Sequence, residues 1–322
     1  MEWRQKITDE IVARIEAGGL PPWRQGWTSA QAAINPSTGD KAYRGINQLI
    51  LRMQPFSDCR WLTLVQANKL GYSVRKGEKG TSICKVVDVP KSQADRAERK
   101  GEAEVLGEDG KMVSVLKTYT VFNASQIEGM PPLAARPTDI KPAEAIEAMV
   151  WGMQDTGMKL NFGGSEACYR PQTDELRMPV AADFENQDFF NGVLLHELAH
   201  ATGHERRISR PLTGKFGSSD YAREELRAEL ASAMGIAGVC GLPLSSAMVD
   251  SHAGYVASWL QSLKNDKFEI FRAAADAQKI CDYLAERALA AKPKMAAHLK
   301  SQVSPVVDEP VLAKAPMRLK LG

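Results

Sequence analysis

The amino-acid sequence predicts an α+β protein, in which a small α+β domain is followed by a mainly helical domain. Two runs rich in β-branched residues, at 83–89 and 116–122, predict strands within the first 130 residues. Beyond residue 138, most of the apolar residues recur at helical spacing. A proline-rich stretch at 131–137 separates the two patterns and predicts a linker, and a length of 322 residues fits two domains.

Apolar residues at helical spacing predict three helices in the first domain. They cover 4–17, which Gly18 and Gly19 end, then 46–54, and finally 62–70, where Thr63 is available as a cap. Between the two strands, residues 91–112 are strongly charged, and we interpret them as a loop-like insertion.

The second domain is predicted to begin with a helix at 143–156 and a hairpin that turns at 172–174. Helices are then expected around residues 196–200 and 221–231, and at about 249–264 and 267–290. The predicted domains are therefore 1–130 and 138–290. Lys, Pro and Ala dominate residues 291–322, which we expect to form a flexible basic tail.

The most informative motif is His-Glu-Leu-Ala-His at residues 196–200. Side chains four apart share one face of a helix, so His196 and His200 can offer two imidazole nitrogens to a single Zn²⁺. Glu197 then lies beside the remaining coordination position, where it can take a proton from water that attacks a peptide carbonyl. This arrangement is typical of zinc metallopeptidases of the zincin group.

A catalytic zinc site usually takes three protein ligands. Glu225 and Glu229 lie four apart in the next predicted helix, and we favour Glu225 as the third ligand, with Glu229 hydrogen-bonded behind a ligand histidine, as in a gluzincin. Two alternatives stay open, namely an exchange of roles between the two glutamates and His204 as the third ligand. By themselves, these acids interleaved with Arg223 and Arg227 would only indicate a solvated helix face.

Composition limits the class of protein. No run of 18 apolar residues and no signal core is present, so we expect neither a membrane protein nor a standard secreted one. The five cysteines are widely spread and form no Cys-x-x-Cys pair, which favours reduced thiols and a cytoplasmic location.

Charge is unevenly distributed along the chain. The first 130 residues carry 19 basic and 15 acidic side chains, whereas residues 131–290 carry 16 and 22. Basic groups and aromatic rings together favour binding of single-stranded DNA. The predicted DNA contacts are Arg44, Asn47, Arg75, Lys76 and Lys79, with Trp23, Trp61 or Tyr72 available for stacking.

Several motifs in order resemble the ArdC-type antirestriction proteins of plasmids and phages, which are related to the amino-terminal part of TraC primases. They are Pro22-Trp-Arg24, Tyr43-Arg-Gly-Ile-Asn47, Arg60-Trp-Leu-Thr63, Val74-Arg-Lys-Gly-Glu-Lys-Gly80, Tyr119-Thr-Val-Phe-Asn-Ala-Ser-Gln-Ile-Glu-Gly129, His196-Glu-Leu-Ala-His-Ala-Thr-Gly-His204 and Tyr221-Ala-Arg-Glu-Glu-Leu-Arg-Ala-Glu229. The resemblance covers residues 4 to about 288 and implies a single-stranded-DNA-binding domain joined to a zincin-like metallopeptidase domain.

The resemblance alone implies antirestriction in a mobile element, and the motif contributes the expectation of a zinc peptidase. The protein would bind single-stranded DNA and cleave host proteins near incoming DNA, with restriction-system proteins among its substrates. The alternative is a protein without turnover, in which a zinc-stabilised scaffold supports coating of DNA or occlusion of restriction subunits.

Overall fold

The structure is a computed structural model of the chain. It describes residues 3–17, 21, 23, 32–99, 103–109, 112–133, 142–212, 214, 218–235 and 253–302. The predicted linker lies partly outside these residues, since 134–137 are among those not described.

The amino-terminal half is mixed α and β, as predicted. Its helices are α1 (Trp3–Glu16), α2 (Ile46–Arg52), α3 (Leu64–Lys69) and α4 (Lys91–Arg99). Its strands are β1 (Ile34–Asn35), β2 (Lys41–Ala42), β3 (Trp61–Thr63), β4 (Ser73–Val74), β5 (Thr81–Pro90), β6 (Ala103–Asp109), β7 (Met112–Asn123) and β8 (Ile127–Glu128).

A four-stranded antiparallel sheet forms the centre of this half. Strand β7 lies in the middle, with β5 along one side and β3 and β6 along the other. The two predicted strands are thus confirmed as the long parts of β5 and β7. The predicted cap of α3 is also confirmed, because Thr63 Oγ1 accepts a hydrogen bond from Gln66 N at 3.2 Å.

The prediction of a loop-like insertion at 91–112 was wrong. The described residues of this segment form α4 and β6, and β7 begins at Met112. On α4 the side chains of Lys91, Asp95, Arg96 and Glu98 are exposed, while Ala94 packs on Val89, Val113 and Val115 in a small separate core. The many charged residues of this segment led us to overlook a narrow apolar face, since one buried alanine and a few valines are enough for a short helix to pack on a sheet.

The second half is mainly helical and contains a three-stranded sheet. Its helices are α5 (Pro142–Gln154), α6 (Gln187–Ala201), α7 (Ser219–Gly235), α8 (Ala253–Asn265) and α9 (Glu269–Gln302), and its strands are β9 (Lys159–Phe162), β10 (Cys168–Arg170) and β11 (Glu175–Met178). The predicted hairpin is β10–β11, and β11 also pairs in parallel with β9. Strand β10 lies at the edge of this sheet.

One hydrophobic core contains residues from both halves of the chain. It includes Ile11 of α1 and Leu49 of α2 together with Leu198 of α6, Leu226 of α7 and Ile280 of α9. The predicted domain boundaries stay a prediction. The shared core means that the first two helices pack as part of the helical half.

The carboxy-terminal helix is longer than expected. We predicted a flexible tail from residue 291, but α9 continues through Pro293 to Gln302. Ala291 is buried, and Lys294 pairs at 2.6 Å with Asp155, the residue that follows α5. Contacts with α5 therefore stabilise the helix past a residue that usually ends one. The rest of the predicted tail, 303–322, lies outside the described residues.

In the described part of the chain, no helix is both long enough and apolar enough to span a bilayer. Cys59, Cys84, Cys168 and Cys281 are free thiols, as expected, whereas Cys240 lies outside the described residues.

The contact between α5 and α9 generates a stability prediction. A Cβ added at Gly152 would lie 2.3 Å from the backbone oxygen of Arg287. Alanine favours a helix over glycine by about 1 kcal/mol, but overpacking costs about 1–3 kcal/mol, because α9 must shift. Gly152→Ala should therefore lower the free energy of unfolding in urea. Gln154→Ala, an exposed change on the same helix, is the control and should change this free energy by less than about 0.5 kcal/mol.

Candidate metal centre and nucleic-acid surface

Helix α6 carries the His-Glu-Leu-Ala-His motif in its last two turns. The side chain of Asn186 caps its start by accepting a hydrogen bond from Phe189 N at 2.9 Å. Beyond its end the chain folds back closely, since a Cβ at Gly203 would lie 2.8 Å from Leu212 and 3.1 Å from His200 O. Glycine at this position therefore allows the following loop to return to the site.

Helix α7 brings the predicted acidic residues to the same place. Ser218 Oγ accepts a hydrogen bond from Tyr221 N at 3.2 Å, so Ser218 caps the start of this helix. Glu225 and Glu229 lie on the face of α7 that packs against α6, and each is at most 5% exposed. His196 is also buried, at 3%.

The ligand atoms of His196, His200 and Glu225 lie within 4.8 Å of one another. The two Nε2 atoms are 3.1 Å apart, and Glu225 oxygens lie 3.4 Å from His196 Nε2 and 3.5 Å from His200 Nε2. Ligands bound tetrahedrally at 2.0–2.1 Å are separated by about 3.3 Å. The three side chains thus have the spacing and the donor types that suit a divalent cation.

Glu229 lies behind His196. Its Oε2 is 3.9 Å from His196 Nδ1, which is longer than a direct hydrogen bond. Glu229 thus lies behind one of the two proposed ligand histidines, and its hydrogen-bonding role stays a prediction. His204 is not among the residues whose ligand atoms lie within 4.8 Å of one another, and its Nδ1 accepts a hydrogen bond from Arg206 N at 3.2 Å.

A carboxylate that sequence reasoning missed contacts the other histidine. Glu224 Oε1 lies 3.2 Å from His200 Nδ1. Arg210 holds this carboxylate with two hydrogen bonds, at 2.7 and 3.1 Å, and also donates to Ala199 O and Thr202 Oγ1, each at 2.8 Å. The sequence shows only two adjacent glutamates, and nothing in it says that both turn towards α6.

The charges of this cluster stabilise one another. Burial lowers the pKa of His200, but Glu224 and Glu225 outweigh it and hold that pKa well above its ordinary value. Burial raises the pKa of Glu225, but its hydrogen bonds with His196 and His200 hold it well below the ordinary value. For Glu224, likewise, the contacts with His200 and Arg210 outweigh burial and lower the pKa.

Glu197 lines the same pocket as the cluster, a cleft of about 350 Å³. Cys168 and Tyr169 of the edge strand β10 form one wall, and Leu212 and Tyr221 form part of the other. The cleft therefore places a carboxylate, the cation-binding groups and the edge of a sheet around one space.

A second buried arginine fixes β10 beside this cleft. Tyr169 donates from its hydroxyl to Asp174 Oδ1 at 2.8 Å, and Arg207 pairs with the same carboxylate. Arg207 also donates to Thr156 Oγ1 at 3.1 Å and to Ala201 O at 2.6 Å. Burial, together with the bond to Asp174, raises the pKa of Tyr169 far above its ordinary value. The network joins the edge strand to the end of α6.

The structure corrects one predicted DNA contact. Asn47 Nδ2 donates to Cys84 O at 2.6 Å, and Asn47 Oδ1 accepts from Cys84 N at 2.9 Å. The amide thus takes the place of a neighbouring strand at the outer edge of β5. Because this role uses both ends of the amide, we reassign Asn47 from DNA contact to closing the sheet edge.

The other predicted contacts differ in their surroundings. Arg44 pairs with Asp282 of α9, and Arg75 pairs with Glu78 at 2.6 Å. Lys76 and Lys79 are exposed on the turn around Gly77, and neither pairs with an acid in the described part of the chain. These four residues are accessible, and their contact with DNA stays a prediction.

The predicted stacking residues are mostly unavailable. Trp23 is fully buried against Trp259, with ring centroids 6.2 Å apart, and Trp61 is 2% exposed and packs on Phe56. Tyr72 is partly buried beside Ile127. The two tryptophans are therefore core residues, since composition indicates that a ring is present and not what covers it.

Each half of the chain matches a known protein family. Residues 1–122 match the N-terminal domain of the anti-restriction factor ArdC, and residues 144–276 match the zincin-like metallopeptidase family. The crystal structure of the antirestriction protein ArdC from plasmid R388, in its metal-free form, superposes with a TM-score of 0.70 at 35% identity, covering 90% of this chain and 99% of ArdC. Its Mn(II)-bound form gives a TM-score of 0.69 and covers 89% of this chain and 98% of ArdC.

Sequence relatives include proteins of different lengths. The chain is 37% identical to the DNA primase TraC of Escherichia coli over 293 residues, which are 88% of this chain and 20% of TraC. It therefore spans about a fifth of that primase. It is also 37% identical to the uncharacterized protein y4eC of Sinorhizobium fredii over 288 residues, covering 87% of this chain and 90% of y4eC.

The contact between Glu224 and His200 generates a prediction on metal binding. Glu224→Gln removes the charge that orients the His200 ring, so the affinity for zinc should fall by about 10- to 100-fold. Competition with a chromogenic chelator measures this affinity. Glu205→Gln is the matched control, because Glu205 is exposed on the loop after α6. Equal affinities for wild type and Glu224→Gln would show that Glu224 does not support the site.

Proposed function

The chain belongs to the ArdC antirestriction family, and on that basis we propose that it binds single-stranded DNA and acts as a zinc-dependent peptidase on host proteins near incoming DNA. One observation carries the peptidase part of the proposal. His196, His200 and Glu225 come together at tetrahedral spacing in a cleft that Glu197 also lines.

The donor set supports the choice of metal. Two imidazole nitrogens and one carboxylate are typical ligands of catalytic zinc, and the observed separations of 3.1–3.5 Å suit bonds of about 2.0–2.1 Å. The family as a whole implies a divalent metal, and Mn(II) is bound in one ArdC structure. Zinc in this chain is our proposal.

A divalent cation held by these residues would polarise a peptide carbonyl and lower the pKa of water in the cleft. Glu197 is the base in this proposal. It accepts one proton from the attacking water and delivers it to the leaving nitrogen as the C–N bond breaks. Glu224 and Arg210 hold the His200 ring, while Glu229 lies behind His196.

Strand β10 supplies a place for the polypeptide. It is the edge strand of its sheet, and its residues Cys168 and Tyr169 line the cleft. An extended peptide can pair with such an edge through backbone hydrogen bonds. Because Arg207 and Asp174 fix this strand relative to α6, the scissile bond would lie close to Glu197.

The base role of Glu197 can be tested by Glu197→Gln. The change removes the proton acceptor and leaves the three proposed ligands in place, so zinc content should be unchanged. Loss of a general base typically lowers the rate by about 10²- to 10⁴-fold. The rate is measured on an unfolded protein substrate with zinc-loaded enzyme, and Glu205→Gln is the control. Wild-type rates in Glu197→Gln would contradict this role.

The same variant separates proteolysis from coating of DNA. If proteolysis causes antirestriction, then Glu197→Gln should abolish protection of incoming DNA in a restricting host while single-stranded DNA is still bound. Full protection by this variant would support the non-enzymatic alternative.

The proposed DNA binding generates a prediction about two lysines of the basic turn. Lys76→Ala combined with Lys79→Ala should weaken binding of single-stranded DNA and reduce the salt dependence of log affinity by about 1.4, since each lost phosphate contact contributes about 0.7. The full chain is used, because α1 and α2 belong to the shared core. The control is Lys159→Ala with Lys292→Ala, two exposed lysines of the helical half. Unchanged binding, or equal affinity of the wild type for duplex, would contradict the prediction.

A further inference from the structure

Among the described residues, one face of the central sheet carries an exposed patch of side chains between two buried regions. In the antiparallel pair β5–β7, Ile83 is directly opposite Tyr119, and Lys85 is directly opposite Lys117. Residues directly opposite each other share a face, and every second residue of a strand returns to it. The two lysines and the tyrosine therefore lie side by side on the same face.

The same face is buried on both sides of these residues. Towards one end of the strands, Ile83 and Val121 join the core of Trp61 and Leu51. Towards the other end, Val87 and Val115 lie in the small core under α4. Between these two cores Tyr119 is 40% exposed, and Lys85 is exposed. We call the surface formed by Lys85, Lys117 and Tyr119 the sheet window.

The electrostatics of the sheet window are unfavourable for the protein alone. Like charges directly opposite each other destabilise a pair of strands. In the described part of the chain, neither Lys85 nor Lys117 pairs with an acid, although ion pairs such as Arg75–Glu78 are frequent elsewhere on the surface. Two cations without a counter-charge beside an exposed ring suit a partner that is both anionic and flat.

We propose that the sheet window binds single-stranded DNA, with one base stacked on Tyr119 and the adjoining phosphates against Lys85 and Lys117. The proposal rests on the proposed function and gives it a location that the sequence did not indicate. A single strand is favoured over duplex, because stacking on a protein ring requires a base that is free of its own stack. Lysine suits phosphate as a compact point charge.

The position of the sheet window extends the basic turn at Lys76 and Lys79. This turn leads directly into β5, and its backbone is fixed to the fold, since Gln126 Nε2 donates to Lys79 O at 2.9 Å. Lys85 follows Lys79 by six positions, which corresponds to about 20 Å of extended chain. Single-stranded DNA that runs along β5 would therefore contact the lysines of the turn as well as those of the sheet window.

The test measures binding of the full-length protein to a fluorescein-labelled oligothymidine of about 20 nucleotides, longer than a typical site, by anisotropy at several salt concentrations. Lys85→Ala with Lys117→Ala should weaken binding and reduce the salt slope by about 1.4. Tyr119→Ala should weaken it by about 5- to 150-fold, the usual effect of losing one stacked base. Tyr119→Phe keeps the ring and should bind like the wild type.

Two controls exclude trivial causes. Lys159→Ala with Lys292→Ala makes the same change in net charge on the helical half and should leave binding unchanged. Lys85→Glu places opposite charges across the two strands, so its melting temperature should equal or exceed that of the wild type, while its DNA binding falls. Reduced binding in this variant without loss of stability therefore reports on contact with DNA.

The outcomes distinguish the two proposals. If the wild type binds and the variants of Lys85, Lys117 and Tyr119 bind equally well, the sheet window is wrong and DNA binding by another surface stands. If the wild type shows no binding to single strands, both proposals fail. If the wild type binds duplex as tightly as single strands, stacking on Tyr119 is overturned.

Discussion

The burial of carboxylates between α6 and α7 is the constraint on which the helical half depends. Glu225 and Glu229 lie beside two imidazoles where water has little access, and an ionised group buried without a partner costs several kcal/mol. Arg210 offsets the neighbouring Glu224 and, through the same guanidinium, holds the end of α6. The packing of the two helices is thus tolerable only with positive charge between them. A divalent cation among His196, Glu225 and their neighbours meets that requirement directly.

The shared core changes the expected relation between the two halves. A proline-rich linker by itself predicts two bodies at a limited range of separations. In the structure, α1 and α2 pack into the helical core, and Gly45 N donates to Gln278 Oε1 of α9 at 3.0 Å. Helix α9 also packs along α7, which carries Glu225. Helix α9 therefore contacts α7, which carries residues of the cleft, and also α2, which packs on β5 of the sheet. Single-stranded DNA bound to the sheet would thus lie at a nearly fixed distance from the cleft.

Local patterns allowed the elements and the motif to be predicted, and long-range packing limited the rest. His196 and His200 follow from helical periodicity alone, and Glu225 follows from a second helix at a suitable distance. The role of Glu224 as the partner of His200 could not be predicted, because Glu224 and Glu225 have the same chemistry and only the rotation of α7 against α6 distinguishes them.

Trp61 was expected on the surface for a related reason, since nothing in the chain near it shows that it packs in one buried cluster with Leu51. The proximity of Lys85 and Lys117 could not be predicted either, because they are 32 positions apart and become neighbours only through the register in which β5 pairs with β7.

The two halves handle charge in opposite ways, and this bears on how the proposed activities coexist. Around the cleft, Arg210 and Arg207 neutralise acids that are fixed in place, whereas in the described part of the chain no acid pairs with the two lysines of the sheet window. The acidic excess of residues 131–290 does not by itself keep a DNA strand out of the cleft, since exposed charges are screened beyond about 8 Å at physiological salt. Exclusion must come from the carboxylates that line the cleft, among them Glu197 and Asp220. These groups repel phosphate at short range and do not hinder an uncharged peptide backbone. In the proposed function, the strand would thus stay on the sheet while the cleft accepts polypeptide.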